Sequence, residues 1–345
     1  MKKVINEIID SLSSIIKKKS TRIIFSDSDY EPVDFDKRHF HEIKTASSER
    51  KIAFIDGGNA PIIETPGFCV HLIRLCAAFF ISNKKIKTIG TEFFVLVSMA
   101  KTDNPSFSVK VFPNSNHENT IGIDLNDLEF SILDPTLRSG GQQVRISSVA
   151  NAARRFGELI FARAVVEALH RGDVLVLDGS LLAKVTNEKK YLDILFSAAE
   201  KQGIMVTGLS KTTQMITDSG EPAPTAIAKL TDLERWYYYP VAKSKNQVDI
   251  FIAKLHKMSR FAFRFDLYNT LHKAKQDTDE LFAVIASNST DPVFLGYPYG
   301  LIYADRHARV SNSEKQYLKT IFCSKFEIEK FESAINAHDI LDSIT

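Results

Sequence analysis

KIAFIDGG at residues 51–58 and VLVLDGS at residues 174–180 share one pattern: a short apolar run, an aspartate, then glycine. A fully apolar run that glycine stops reads as a buried strand. In α/β folds, ligands and chemistry sit just beyond the C-terminal ends of such strands, and Asp56 and Asp178 stand there. Two carboxylates delivered to one edge suit a hard divalent cation, which prefers oxygen ligands. A pair of such ions about 3.5–4 Å apart activates water and stabilises a leaving oxygen in phosphodiester cleavage. Asp-Gly after a strand is also ordinary turn chemistry. Finding the pattern twice in one chain favours the site over the turn.

Outward from these two runs, the chain reads strands, helix, strand. Residues 68–81 (FCVHLIRLCAAFFI) fit strand or helix, and their β-branched and aromatic ends favour strand. Residues 92–99 predict a strand, and residues 143–170 a long helix with Val149, Ala152, Ala153, Phe156, Ile160, Ala164 and Leu169 at helical steps. A helix at 189–201 and a strand at 204–209 follow the second Asp-Gly run. Residues 100–140, rich in Asn, Asp, Ser, Pro and Gly, read as an insertion with a short strand at 107–112. Further on come loops over 220–247 with an aromatic run at 235–239, two paired strands at 248–256 and 260–267, a helix at 271–286, short strands around Pro298 over 293–304, and a C-terminal helical segment. With no internal repeat or low-complexity linker, residues 20–345 read as one domain.

Within RRFGELIFARAVVEAL (154–169), Glu158 lies among Phe156, Leu159, Ile160 and Phe161. A carboxylate there is costly to bury unless paired or metal-bound; the alternative is an exposed helix face. Strand–Asp, two more strands, helix–Glu, strand–Asp is the order of a ribonuclease H-like core, a mixed sheet flanked by helices. IAFIDGG, RRFGELIFARAVVEAL, VLVLDGSLL, TGLSKTT and GYPYGLIYADRHARVS together resemble the NurA nucleases, partners of the hexameric DNA translocase HerA. The resemblance runs from about residue 50 to 311. It implies Asp56, Glu158 and Asp178 as ligands of Mn²⁺ or Mg²⁺, two ions in all. The family's last block has a His or an Asp after the Ala that follows Tyr-Pro; here Ala304 precedes Asp305, and His307 lies two places on. Asp305 is the ligand expected by position, with His307 as ligand or proton carrier. A second departure is Gly58, where the family more often has serine.

Lys211 in GLSKTT belongs to no phosphate-binding G-x-x-x-x-G-K-[ST] loop. Beside the carboxylates it would steady the scissile phosphate; otherwise it is a solvated turn lysine. Net charge is only +2, from 44 Lys+Arg and 42 Asp+Glu, so nucleic acid would be held by local clusters. Arg154, Arg155, Arg260, Arg264 and Arg306 are the candidates. Trp236 and Tyr238, in the run WYYYP, are the candidate stacking rings for single strands. The competing reading is that these rings pack the core. The family resemblance adds a homodimer that admits single- or double-stranded DNA.

Hydrophobic residues at 44% and charged residues at 25% exclude wholesale disorder. No apolar run reaches the ~18–20 residues of a membrane helix. Cys69, Cys76 and Cys323, odd in number and with no C-x-x-C, favour neither a disulfide framework nor a zinc site, and fit a cytoplasmic home. Residues 1–19 predict an amphipathic helix ending at Lys17, Lys18 and Lys19; it either packs on its own domain or docks on a partner. Its apolar residues are interrupted, unlike a secretory signal. The function expected is a 5′-to-3′ exonuclease and single-strand endonuclease that resects DNA ends for recombinational repair with a HerA-type ATPase. Two other readings stay open. An actin-like small-molecule kinase shares the core, although Asp178-Gly179-Ser180-Leu181 lacks the pattern of a second phosphate turn. A non-catalytic DNA clamp would bind without cutting.

Overall fold

The two Asp-Gly strands lie side by side at the centre of one large sheet. The structure is a computed structural model and describes residues 1–16, 20–44, 49–100, 105–114, 122–270 and 275–325. Its strands are β1 (Ile23–Ile24), β2 (Tyr30–Pro32), β3 (Phe40–Glu42), β4 (Lys51–Glu64), β5 (Phe68–Ile81), β6 (Lys84–Met99), β7 (Phe107–Pro113), β8 (Val174–Asp178), β9 (Met205–Ser210), β10 (Ile216–Thr217), β11 (Trp236–Tyr238), β12 (Ala242–Ser244), β13 (Val248–Lys254) and β14 (Phe263–Tyr268). Its α-helices are α1 (Lys2–Ile16), α2 (Ile146–Val166), α3 (Glu188–Gln202), α4 (Ala223–Ala228), α5 (Lys275–Ser287), α6 (Tyr299–Ala308) and α7 (Asn312–Lys325).

The ten-stranded sheet runs β3-β11-β13-β14-β9-β8-β4-β5-β6-β7. Within it, β6-β5-β4 form an antiparallel meander, while β8 and β9 run parallel to β4. That is the strand order of a ribonuclease H-like core. Ile55 pairs with Leu177 in the parallel β4–β8 register, so Asp56 within β4 and Asp178 at the end of β8 follow side by side. Alternation along β4 turns Ala53 and Ile55 to the face that α2 covers, with Phe156 and Leu159 against them. Phe54 points the other way, into a core with Phe80, Val176, Phe282 and Leu301 from α5 and α6. Asp56 and Asp178 share that second face by the same alternation.

Several elements differ from their sequence expectation. The strand expected over 51–56 runs through Gly57 and Gly58 to Glu64. The glycines are needed for close approach rather than for a stop: a Cβ on Gly58 would overlap the Ala308 carbonyl oxygen at the end of α6. The strand expected at 107–112 forms, but as the edge of the main sheet, paired with β6. Short strands expected at 293–304 are replaced by α6, which Pro298 caps. Proline fixes its own φ and suits a helix start, and α6 then lies on β4 so closely that a Cβ on Gly300 would overlap the Phe54 ring.

Helix α1 forms as predicted, yet Val4, Ile5, Ile8, Ile9 and Leu12 remain 47–56% exposed, so its apolar face does not pack on the described domain. Lys17–Lys19, and the chain beyond residue 325, lie outside the described residues. Among the described residues no helix is long and apolar enough to cross a membrane.

Candidate active site

Three carboxylates from distant parts of the chain meet where β8 ends beside the middle of β4. Asp56, Asp178 and Asp305 each offer an oxygen, and these atoms lie within 4.8 Å of one another. Asp56 is brought by β4 and Asp178 by β8. Asp305 comes from α6, which Gly58 and Gly300 allow to sit against β4. The Asp178 turn is tightly built: Gly179 has φ +101°, a left-handed conformation that suits glycine, and its N–H donates to Leu209 O at 2.7 Å.

Asp266, fully buried on β14, fixes the next two residues. It accepts from Ser180 Oγ at 2.6 Å and from Leu181 N at 3.0 Å, and Arg264 Nε donates to its other oxygen at 2.6 Å.

Negative charge converges here with little to offset it. Asp56 is 7% exposed, and burial, then Asp178 and Glu158, push its carboxyl up to about 8. Lys211, at the end of β9, is the nearest cation. Its Nζ donates to Asp178 Oδ2 at 2.6 Å and stands 3.5 Å from Asp305 Oδ1. Burial opposes its charge, but the hydrogen bond to Asp178, with Asp56 and Asp305 near, raises its pKa. An all-oxygen cluster with a proton held in place of a missing positive charge fits a hard divalent cation.

Glu158 is brought close but not into the three-carboxylate group. It is 1% exposed and turns to its own helix: Arg154 Nη1 donates to Oε2 at 2.8 Å, and Oε1, 3.8 Å from Arg155 Nη1, accepts no hydrogen bond from the described residues. Burial raises its carboxyl pKa against the pull of both arginines, and Asp178 adds to the rise. An orphaned buried carboxylate oxygen beside this cluster is a further donor for a cation.

His307 falls elsewhere. Its Nδ1 bonds Tyr303 O at 2.8 Å and its ring stacks on Tyr303 at 3.9 Å between centroids, one turn back on α6. Helical geometry puts residues 303 and 307 on a different side of α6 from residue 305, so Asp305, not His307, joins the carboxylates.

The expected nucleic-acid residues divide sharply. Trp236 and Tyr238 are each 1% exposed, packed with Phe40, Ile250 and Ile252 between the sheet and the N-terminal strands. They cannot stack bases, because β11 is covered on both faces; the expectation for these two is corrected to core packing. Arg264 is held by Asp266, and Arg155 by Glu188 at 2.8 Å, both largely buried. Arg154 spans Glu158 and Gly57 O at 3.1 Å. Arg260 and Arg306 stand exposed.

Tyr297 has no role that its sequence position alone assigns. Its hydroxyl is buried with no hydrogen-bond partner among the described residues, and its ring lies 5.8 Å from Lys211 Nζ. Burial raises its pKa, and Asp178, Asp56 and Asp305 raise it further. The signal available was its place in the Tyr-Pro of the last motif, next to α6.

A family model described as NurA domain matches residues 50–310. The crystal structure of the NurA nuclease from Sulfolobus solfataricus is similar at TM-score 0.53 and 14% identity, over 94% of this chain and 95% of that one. Endonuclease V from Ciona intestinalis in complex with a 24mer DNA gives TM-score 0.39 at 12% identity, over 80% of this chain and 89% of that one. The catalytic domain of human Endonuclease V gives 0.39 at 10%, over 83% and 92%. No curated protein sequence matches. At such identities the first likeness speaks for the fold alone, and the last two scores carry no argument.

Proposed function

The chain belongs to the NurA family of nucleases, and from that premise we propose that it is a metal-dependent deoxyribonuclease, a 5′-to-3′ exonuclease with single-strand endonuclease activity. The observation that carries the reading is the meeting of Asp56, Asp178 and Asp305 oxygens within 4.8 Å of one another. These three, with Glu158, would hold two Mn²⁺ or Mg²⁺ ions. When bound, such ions supply Lewis acidity that eases deprotonation of water and neutralises the leaving oxygen.

The chain's own residues do the rest. Asp56, whose burial retains a proton, would release it to solvent on holding an ion, because a carboxylate ligand is deprotonated. Lys211, released from Asp178, pairs with a phosphate oxygen as a compact point charge. The Tyr297 hydroxyl, without a partner among the described residues, donates to an oxygen at the reacting centre. The Asp266 hydrogen bonds keep the Ser180 turn, and with it Asp178, from drifting.

The family premise extends the reading to partners and setting. We infer a homodimer that works in the cytoplasm with a HerA-type hexameric ATPase, resecting DNA ends for recombinational repair. The deciding experiment digests 5′- and 3′-labelled single-stranded DNA with Mn²⁺, Mg²⁺ or EDTA, using wild type, Asp56→Ala and Asp178→Ala. Metal-dependent cleavage lost in both variants supports the carboxylate site, and the labels read polarity. Cleavage retained by Asp56→Ala sinks the assignment. DNA binding with no cleavage in any metal returns the clamp reading.

A further inference from the structure

We infer that the β13–β14 loop is a platform for one unpaired base of a nucleic-acid strand: Phe261 takes the face of the base, and Lys257 and Arg260 take phosphates beside it. The inference rests on the nuclease reading for its ligand, but not for its geometry. Arg264, near the start of β14, pairs with Ser210, the last residue of β9, and β9 runs parallel to β8. The loop over 255–262 therefore leaves the sheet at the edge where Asp178 ends β8. Apolar groups crowd the surface there: Phe261 is 54% exposed, Met258 70% and Val293 77%. Phe263, two residues on, is buried in the core that α5 and α6 cover, and the Phe261 ring lies against it at 6.3 Å between centroids.

The exposed ring is held in place before any ligand arrives. Phe261 N donates to Ser259 Oγ at 3.1 Å, Ser259 Oγ donates to Phe261 O at 3.1 Å, and Ser259 N donates to His256 O at 3.0 Å. Gly296, at φ +88°, lets the α5–α6 loop close on this turn, since a Cβ there would overlap Ser259. A row of rings then leads inward. Phe294 stands edge-on to Phe261 at 5.6 Å and stacks on Tyr297 at 5.3 Å. The Tyr297 ring lies 5.8 Å from Lys211 Nζ, which bonds Asp178. Charge decides what covers the patch. Lys257 and Arg260 are exposed, and among the described residues no carboxylate pairs with them or with Lys254. After burial, Arg235, Lys257 and Lys254 lower the pKa of His256 in the same loop. Asp291, at the rim, accepts from Val293 N at 2.9 Å. An apolar partner would leave these cations without water or a counter-charge. A single strand offers both a ring face and phosphates, and aromatic rings beside cations grip it without reading its sequence.

The test is fluorescence anisotropy of labelled oligo-dT, and of an abasic strand of the same length, in EDTA across a salt series. Phe261→Ala should bind oligo-dT about five- to 150-fold more weakly than wild type, the worth of one base on a ring, with the salt slope unchanged. On the abasic strand it should match wild type. Lys257→Gln/Arg260→Gln should lower the salt slope by about 1.4, near 0.7 for each single-strand phosphate no longer neutralised. In Phe261→Trp the new indole should be quenched by oligo-dT, over the steady signal of the buried Trp236. An equal loss on the abasic strand, an indole that DNA leaves unquenched, or a wild type that does not bind oligo-dT overturns the platform. So does Phe261→Ala that binds oligo-dT as wild type does; if it also sediments as a smaller species, the patch meets a second copy of the chain instead. Wild type and variants that show the expected binding while nothing is cut in Mn²⁺ uphold the platform and count against the nuclease reading alone.

Discussion

Asp56 carries a large electrostatic cost at the site. Its carboxyl is raised from 3.8 to about 8. Between those values the folded protein holds a proton that the unfolded chain has lost, so without cation stability falls as pH rises through that window. Asp56→Asn removes the titration. Melting in EDTA across the window should show wild type losing stability relative to the Asn variant, which becomes the more stable at the alkaline end by several degrees while losing Mn²⁺ affinity. Parallel curves for the two proteins would refute this account.

Tyr297→Phe asks a related question of a neutral group. A buried hydroxyl without a partner costs about 1–3 kcal/mol, so the variant should melt at or above wild type. Its cleavage rate should fall roughly ten- to hundredfold, because a preorganised donor is lost. Cleavage at the wild-type rate would make the phenol mere packing. Asp56 and Asp178 were legible in the sequence because each follows an apolar run before glycine, and Asp305 through its place in the resembled family's last motif. Tyr297 and Asp266 were not: a phenol in an aromatic stretch and an acid within an apolar strand signal nothing until the neighbours they meet are known.

Among elements, α6 decides whether the carboxylates meet. Element order was readable, since strand and helix periodicities are local. The helix itself was not, because an aromatic run around Pro298 suits a strand as well as a helix start, and only packing chooses. That packing also accounts for Gly58, where the resembled family more often has serine: the Ala308 carbonyl at the end of α6 fills the space a side chain would need. Gly300→Ala puts a methyl into the Phe54 ring and should cost about 1–3 kcal/mol, as overpacking does. It should also weaken Mn²⁺ binding, since Asp305 moves with the helix. Phe54→Leu added to Gly300→Ala should recover part of both losses. Additive losses in that double variant, measured by melting and calorimetry, would show that the two residues do not meet.

At the scale of the whole molecule, composition misled in one respect and guided in another. Aromatics such as Trp236 and Tyr238 reading as a nucleic-acid surface turn out to fill a sheet covered on both faces, which no count of rings can reveal. The near-neutral balance of +2, by contrast, leaves charge to local clusters, and the carboxylate site is one such pole. The site joins β4, β8 and α6, elements separated by more than a hundred residues at each step, so a bound cation ties the two ends of the core together. Binding to the folded state alone stabilises it by about 2.7 kcal/mol at a hundred times Kd. Mn²⁺ should therefore raise the melting temperature of wild type and slow hydrogen exchange in α6 and at the end of β8, with β7 at the far sheet edge unaffected. Asp178→Asn should abolish both effects. Protection spread evenly over the sheet, or surviving in Asp178→Asn, would mean that the ion binds elsewhere and that the three carboxylates do not link α6 to the strands.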